Sequence, residues 1–401
     1  MNVLFLTVAR ILDIEDRELY QDLMREFRNN GHSVYIVTPR ERRYREQTQY
    51  KEVSGAHILG VRTANLQKTN IFEKGIGTLM IENQFRSAIR KNITGVDFDL
   101  ILYSTPPITF PNLVRFLTAE YPRAKKYLLL KDIFPQNAVD LEMLSTTGTK
   151  GFLYRYFRKK EIELYKLSDF IGCMSPANVK YILSHNPFIT PDKVEIAPNS
   201  IDLCNQSSYD NSILSKYGLP SDRPILLYGG NLGKPQGISF LLKCLEANIG
   251  RQDCHFLIVG DGVEYDRIDL WINHSKPSNV TLFKRLPKMD FELLTRSCDI
   301  GLIFLDHRFT IPNYPSRSLS YMANKLPLLV ASDVVSDLGP IAEQNGFGFW
   351  CESDSVEGFT SILNKILRSD IKTMGERGFE YLCQHYLVSK TYEVITKHFS
   401  S

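Results

Sequence analysis

Short runs of aliphatic and β-branched residues recur along the chain, with segments of helical period between them. In the first half they are NVLFLTV, SVYIVT, HILGVR, DLILYS, KYLLL, FIGCM and KVEIA; in the second, PILLYGG, HFLIVG, NVTLFK, IGLIFL and LPLLVA. Continuous apolar runs alternating with amphipathic helices predict parallel sheets built from βαβ units. Between the first two runs, Glu18 to Asn30 reads as such a helix, with Leu19, Leu23 and Phe27 on one face and Gly31 closing it. A polar stretch rich in Asn, Ser and Asp interrupts the rhythm before PILLYGG. The pattern predicts an α/β protein of two Rossmann-like, doubly wound domains, residues 1–202 and 223–380, joined by a linker over 203–222. Ligands are then expected in a cleft at the carboxyl ends of the strands. The tail, 381–401, is helical in period and leaves open which domain it docks on.

Length agrees with this division, because 401 residues exceed what one hydrophobic core usually supports. A net charge of +3 is too small to imply a nucleic-acid partner. MNVLFLTVAR has no basic segment ahead of its apolar run and reads as a first buried strand, so a cytoplasmic location is expected. The seven cysteines show no CxxC spacing and the eight histidines no HxxxH or HExxH pattern, which predicts reduced packing thiols and no protein-held metal.

Three strand-to-helix turns in the second half carry candidate chemistry. In LLYGGNLGKPQG a strand runs into Gly229, Gly230, Gly233 and Gly237 before a helix expected near Ile238. Glycines there allow a ligand close to the backbone, and Lys234 can neutralise phosphate; the plain alternative is a tight βα turn. FLIVGDGVEYDRI leaves a strand through Gly260, Asp261 and Gly262, with Asp261 either bordering a ligand or capping the next helix. In RFTIPNYPSRSLSYMANKLPLLVA, Pro315 and Ser316 signal a helix start that puts Arg317 in the first turn. A cation there opposes the helix dipole unless an anion is present, so backbone N–H groups and a guanidinium together suit a diphosphate.

In this order, the three turns resemble the retaining GT-B glycosyltransferases of family 4, the group exemplified by sucrose-synthase-like and bacterial polysaccharide enzymes. In the first half, Asn30-Gly31-His32 before SVYIVT is similar to the family's "GH-V" turn, and DIFPQNAVDLEML to the "D-W-P-[DQ]-[SN]-A" segment of capsule and O-antigen members. SPANVKYIL and APNSIDL match two further stretches. The subgroup resembled is the N-acetylfucosamine or N-acetylmannosaminuronic acid transferase type.

The resemblance implies sugar transfer from a nucleoside diphosphate sugar, UDP-linked, with the nucleotide on the second domain and the acceptor mainly on the first. Carried over, Gly229, Gly230 and Lys234 lie against the diphosphate, Gly260, Asp261 and Gly262 border the nucleotide, and Phe283 to Leu286, with Arg285, frame the base. Pro315, Ser316 and Arg317 complete the phosphate site. Asp132, after KYLLL, is the candidate for acceptor positioning or proton relay, with a capping carboxylate in an extended D-I-F-P turn as the alternative. Lys131, Phe134 and Arg10 join it on the acceptor side. The family's two glutamates, eight residues apart, are replaced by Pro312 and Ser320, and its basic pair after the glycine-rich strand by Asn231 and Gln236. Paired-carboxylate displacement is therefore disfavoured against front-face departure. No cofactor or metal is expected.

RERRYREQTQYK from Arg40 and KGFLYRYFRKKEIELYK from Lys150 are strongly basic. The second interleaves Phe152, Tyr154, Tyr156 and Phe157 with Arg155, Arg158, Lys159 and Lys160, as for a helix resting on an anionic membrane; a solvated helix over a buried aromatic stripe is the alternative. A polyprenyl-diphosphate-linked acceptor at the inner face of the cytoplasmic membrane, and other polysaccharide-assembly enzymes as partners, fit the resemblance. His307 or Arg308 is a candidate reader of a sugar carboxylate. Rival readings are a GT-B-shaped UDP-sugar epimerase and a non-catalytic nucleotide-sugar-binding subunit. A Rossmann oxidoreductase is the least favoured reading, because no dinucleotide fingerprint follows the first strand.

Overall fold

The computed structural model describes residues 1–65, 71–203 and 212–399, and the chain divides into two compact units, Met1–Asp202 with Leu387–Ser401, and Leu203–Tyr386. Unit 1 holds strands β1 (Asn2–Leu6), β2 (Ser33–Glu41), β3 (Gln49–Val53), β4 (Ala56–Thr63), β5 (Leu100–Ser104), β6 (Lys125–Leu130), β7 (Phe170–Cys173) and β8 (Val194–Ile196). Its helices are α1 (Leu19–Asn29), α2 (Ile71–Asn92), α3 (Pro111–Glu120), α4 (Gln136–Asp140), α5 (Gly148–Leu167) and α6 (Pro176–His185). The sheet order is β3-β4-β2-β1-β5-β6-β7-β8, parallel except for β3.

Unit 2 holds β9 (Ile225–Asn231), β10 (His255–Asp261), β11 (Val280–Phe283), β12 (Ile300–Phe304), β13 (Leu328–Ser332) and β14 (Gly348–Glu352), parallel throughout in the order β11-β10-β9-β12-β13-β14. Around them lie α7 (Ser212–Lys216), α8 (Ile238–Ala247), α9 (Tyr265–Ser275), α10 (Lys288–Ser297), α11 (Arg317–Ala323), α12 (Leu338–Gln344), α13 (Val356–Leu367) and α14 (Ile371–His385). Each of the twelve apolar runs named from the sequence is a strand. The two strands they omit are edge strands: β3 has almost wholly exposed side chains and shows no apolar run, while β14 has a short apolar run, Gly348 to Cys351, that is only part buried.

The strand order reverses between β1 and β5 in unit 1 and between β9 and β12 in unit 2. Crevices at such reversals are where open α/β sheets hold ligands. α1 follows its sequence signals: Leu23 and Phe27 are buried, Leu19 half-buried, and Gly31 turns the chain with φ of 78°. Within the expected linker, 204–211 lies outside the described residues. The remainder is ordered on unit 2: α7 packs on α10, and the Tyr217 hydroxyl donates to Asp290 while its ring meets Phe283 edge-on.

The tail splits between the units. α14 belongs to unit 2, where Tyr381 packs on Phe347 and the Tyr314 and Tyr386 hydroxyls bond each other. The final helix, α15 (Val388–Thr396), belongs to unit 1. Leu387 forms a β-bridge with Ile201, Tyr392 packs edge-on against Phe27, and Val388 and Ile395 are buried in the same core as Val3 and Phe5. Six cysteines are unpaired thiols, five of them buried; Cys204 lies outside the described residues.

Candidate functional site

The carboxyl ends of β9, β10 and β12 bring the glycine-rich turns and the start of α11 together. Gly230 pairs with Gly260 in the β9–β10 register, and a Cβ on Gly260 would stand 2.0 Å from the Gly230 carbonyl oxygen. No side chain fits there. Leu232 N donates to Asp261 O and Glu264 N to Leu232 O, which locks the two turns into one surface. Gly230, at φ of 128°, would place a Cβ 3.5 Å from the Arg317 guanidinium carbon, and Gly229 N donates to the Tyr321 hydroxyl at 2.8 Å. A bare backbone is needed where the two turns meet.

Arg317 is the first residue of α11. Its guanidinium lies 4.6 Å from the Tyr228 ring centroid, and its Nη1 is fully buried without a hydrogen-bond partner among the described residues. The guanidinium stays charged, so this is a fixed cation with an unused donor, at a helix start, beside two glycines. An unmade hydrogen bond of this kind costs about 1–3 kcal/mol, which an oxyanion would return. Ser316 is the N-cap but its side chain caps nothing; instead the Ser318 hydroxyl and backbone N both donate to Pro315 O, which tightens the entry to α11. Lys234 is exposed at the start of a short 3-10 turn.

Asp261 does not cap a helix. It ends β10, and α9 starts further along, at Tyr265. Arg285 is exposed and Leu286 half-buried after β11, with the Lys284 ammonium 4.9 Å from the Tyr265 ring centroid. Arg308 is not open to read a sugar carboxylate, because it forks onto both oxygens of Asp306 at 2.8 and 2.9 Å. Burial would raise the Asp306 carboxyl, but Arg308 outweighs it and holds the group below the usual carboxylate range.

In unit 1, Lys131 and Asp132 leave β6 together, and the backbone N of each donates to Thr105 Oγ1. Asp132 Oδ1 accepts from Asn137 Nδ2 at 2.8 Å. Burial pushes the Asp132 carboxyl up to about 6, against the opposing bonds from Ile133 N and Asn137. It provides no cap to α4. Burial also pulls Lys131 down to about 7. Arg10 follows β1, bonds Glu46 at 2.5 Å and lies 4.1 Å from the Tyr44 ring centroid.

Arg158 points inward, contrary to its placement on a membrane face. It bonds Glu161 Oε2 at 2.5 Å and Asn186 Oδ1 at 2.6 Å, beside a cavity of about 100 Å³ that Gln136, Tyr154 and Tyr181 also line. Lys160 is largely buried, 3.9 Å from Glu163. Phe134 packs edge-on against Phe157. Phe152, Leu153, Arg155 and Lys159 are exposed. Among the described residues, no three His, Cys, Asp or Glu side chains gather as a metal site.

Residues 210–378 match the family model of Glycosyl transferases group 1. The match lies within unit 2 and spans most of it. The probable glycosyltransferase WbjE of Pseudomonas aeruginosa is 23% identical over 307 residues, covering 72% of this chain and 71% of that protein. Among solved structures, a sucrose-phosphate synthase from Thermosynechococcus elongatus superposes with a TM-score of 0.77 at 13% identity, covering 99% of this chain and 98% of that one. HepE of Anabaena in complex with UDP gives 0.69 at 12% identity, covering the whole of both chains. The fold is GT-B, two Rossmann-like domains.

Against the group's pattern, the changed pair Asn231 and Gln236 has its own structural use. Gln236 Oε1 accepts from Asn231 Nδ2 at 3.0 Å and from Gly233 N at 3.2 Å, closing the turn without charge. Tyr228 and Tyr321 belong to the site although nothing in the sequence marked them. Tyr228 stood inside an apolar run, and only its place directly before two glycines hinted at more; Tyr321 sits one helical turn after Arg317.

Proposed function

We propose that the chain is a retaining glycosyltransferase that moves a sugar from a UDP-sugar to a polyprenyl-diphosphate-linked glycan in capsular polysaccharide or O-antigen synthesis. Arg317 carries this reading: a charged, buried guanidinium with an unpartnered nitrogen, set against bare glycine backbone within a segment that matches the glycosyl transferases group 1 family. That is a seat for a diphosphate, the leaving group of a nucleotide sugar. The likeness to the probable glycosyltransferase WbjE supports the transferase reading, and the likeness in fold to UDP-bound HepE supports the donor class.

The bond from the anomeric carbon to the diphosphate breaks on the face where the acceptor oxygen attaches, and the departing phosphate oxygen takes the acceptor's proton. Arg317, Lys234 and the start of α11 stabilise the growing negative charge. Asp132 holds the acceptor hydroxyl, and no cofactor or protein-held metal enters the scheme. The donor sugar proposed is an N-acetylated amino sugar, 6-deoxy or uronic. Purified protein with a panel of UDP-sugars is expected to release UDP slowly without acceptor, fastest with an N-acetylamino sugar. Epimer formation in its place, or no release and no binding with any donor, would overturn the proposal.

Peripheral membrane association belongs to the same reading. No helix among the described residues is long and apolar enough to cross a membrane. Phe152 is 70% exposed near the start of α5, with Arg155 and Lys159 exposed one and two turns on. On α2, Arg86, Arg90 and Lys91 line a shallow basic depression. The surface charge of an anionic leaflet gives about 1 kcal/mol per basic residue, so reversing Arg155 and Lys159 to Glu should weaken binding to phosphatidylglycerol vesicles at least ~10-fold. Co-sedimentation at low and high salt measures this; equal binding by the double variant removes α5 from the membrane contact.

A further inference from the structure

Lys131 has no counterion among the described residues. Its side-chain nitrogen donates to Ala197 O at 2.9 Å and forms no ion pair among the described residues. The carboxylates of neighbouring elements are engaged elsewhere: Glu195 takes Tyr127, His398 and Lys397, Asp202 meets Arg25, and Asp132 is bonded to Asn137. Cys173 of β7 is the titratable group that acts on Lys131, and burial pushes its thiol up to about 12, so it stays neutral.

The surroundings fix where the ammonium stands. Leu130 pairs with Cys173, so Lys131 stands level with the exit of β7, from which α6 starts at Pro176. Ala197, which holds the ammonium, is the first residue beyond β8. A partly buried basic side chain thus stands among strand exits near a helix start in unit 1, as Arg317 does in unit 2, with the difference that the lysine can lose its charge. Holding its charged form there uncompensated is unfavourable, which is why burial lowers its proton affinity, and when charged it has two protons left over for a partner.

We propose that Lys131 binds an oxyanion of the acceptor, a phosphate or a carboxylate, and so makes the enzyme selective for anionic acceptors. This rests on the transferase reading above. The depressed proton affinity of the free amine adds a signature, because an arriving oxyanion favours the charged form and the site takes up a proton on binding near pH 8.

The test uses the full chain saturated with UDP, which blocks the diphosphate seat on unit 2. Inorganic pyrophosphate and glucuronate are titrated separately at pH 8, by calorimetry in two buffers of different ionisation enthalpy. The wild type is expected to bind at least one of them with uptake approaching one proton; pyrophosphate points to a phosphate-linked acceptor, glucuronate to an acidic sugar. Lys131→Met should weaken that binding roughly 10- to 100-fold while leaving UDP affinity unchanged. Lys131→Arg should bind the anion without proton uptake, which a merely structural lysine would not predict. Absence of binding by the UDP-saturated wild type, or unchanged binding and proton uptake in Lys131→Met, overturns the proposal. Failure of UDP itself to bind strikes the transferase reading instead.

Discussion

Arg317→Ala should lower kcat/KM with the best UDP-sugar by about 10³-fold, through both weaker donor binding and loss of charge stabilisation on the leaving diphosphate. The fold should barely notice. The side chain's Nη1 bonds none of the described residues, and its contact over Tyr228 is a cation–π interaction of about 1–2 kcal/mol, partly offset by the cost of its desolvation. Thermal unfolding without ligand should therefore move little, while the upward shift that UDP gives the wild type should disappear. Arg317→Lys should rescue poorly, since an ammonium cannot reproduce the planar fork stacked on Tyr228. Undiminished UDP binding by the alanine variant would remove the diphosphate from this site.

Asp132→Asn separates catalysis from stability. The carboxyl has its proton affinity raised by burial, from 3.8 to about 6, so the folded state binds this proton more tightly than the unfolded chain does. Its contribution to stability is fully present below pH 4 and is lost as pH rises through 6; at pH 7.5 the ionised group is a net burden of ~2 kcal/mol, discounting for its partial exposure. Asparagine keeps an acceptor for Asn137 Nδ2 and removes the charge. The variant should accordingly be more stable than wild type at pH 7.5, and no more stable at pH 4. Activity should go the other way, with transfer falling ~10²- to 10⁴-fold, and the acidic limb of the kcat/KM profile near pH 6 should vanish. Urea unfolding at the two pH values and a pH–rate profile measure these separately. A variant destabilised at pH 7.5 would show that Asp132 is a structural carboxylate.

Continuous apolar strands are the feature most legible in the sequence, because both faces of a parallel sheet are buried and leave an unbroken run. The α11 start was legible for a different reason: a lone arginine behind Pro315 and Ser316 is a local electrostatic conflict, visible without knowing the fold. What stayed hidden depends on long-range packing. The basic run of α5 does not disclose which residues face inward, since aromatics and cations alternate too densely for one stripe to emerge. Arg158 turns in to Glu161 and Asn186, although Arg155 and Lys159, within one turn of it, are exposed. The engagement of Arg308 by Asp306 was equally unreadable, because the two groups sit only two residues apart and could have pointed anywhere. Edge strand β3 lacks an apolar run because it has so little to bury.

α15 also governs the order in which the protein can mature. Unit 1 is translated first, yet its core includes Val388 and Ile395, and Phe27 is covered by Tyr392. Domains ordinarily fold in the sequence in which they leave the ribosome. Here the earlier one cannot seal until the whole of unit 2 has been made, so α1 passes through synthesis with an apolar flank uncovered. Ribosome-bound chains arrested before Leu387 should consequently be chaperone clients, and folding of the two units is coupled in time by a helix only nine residues long.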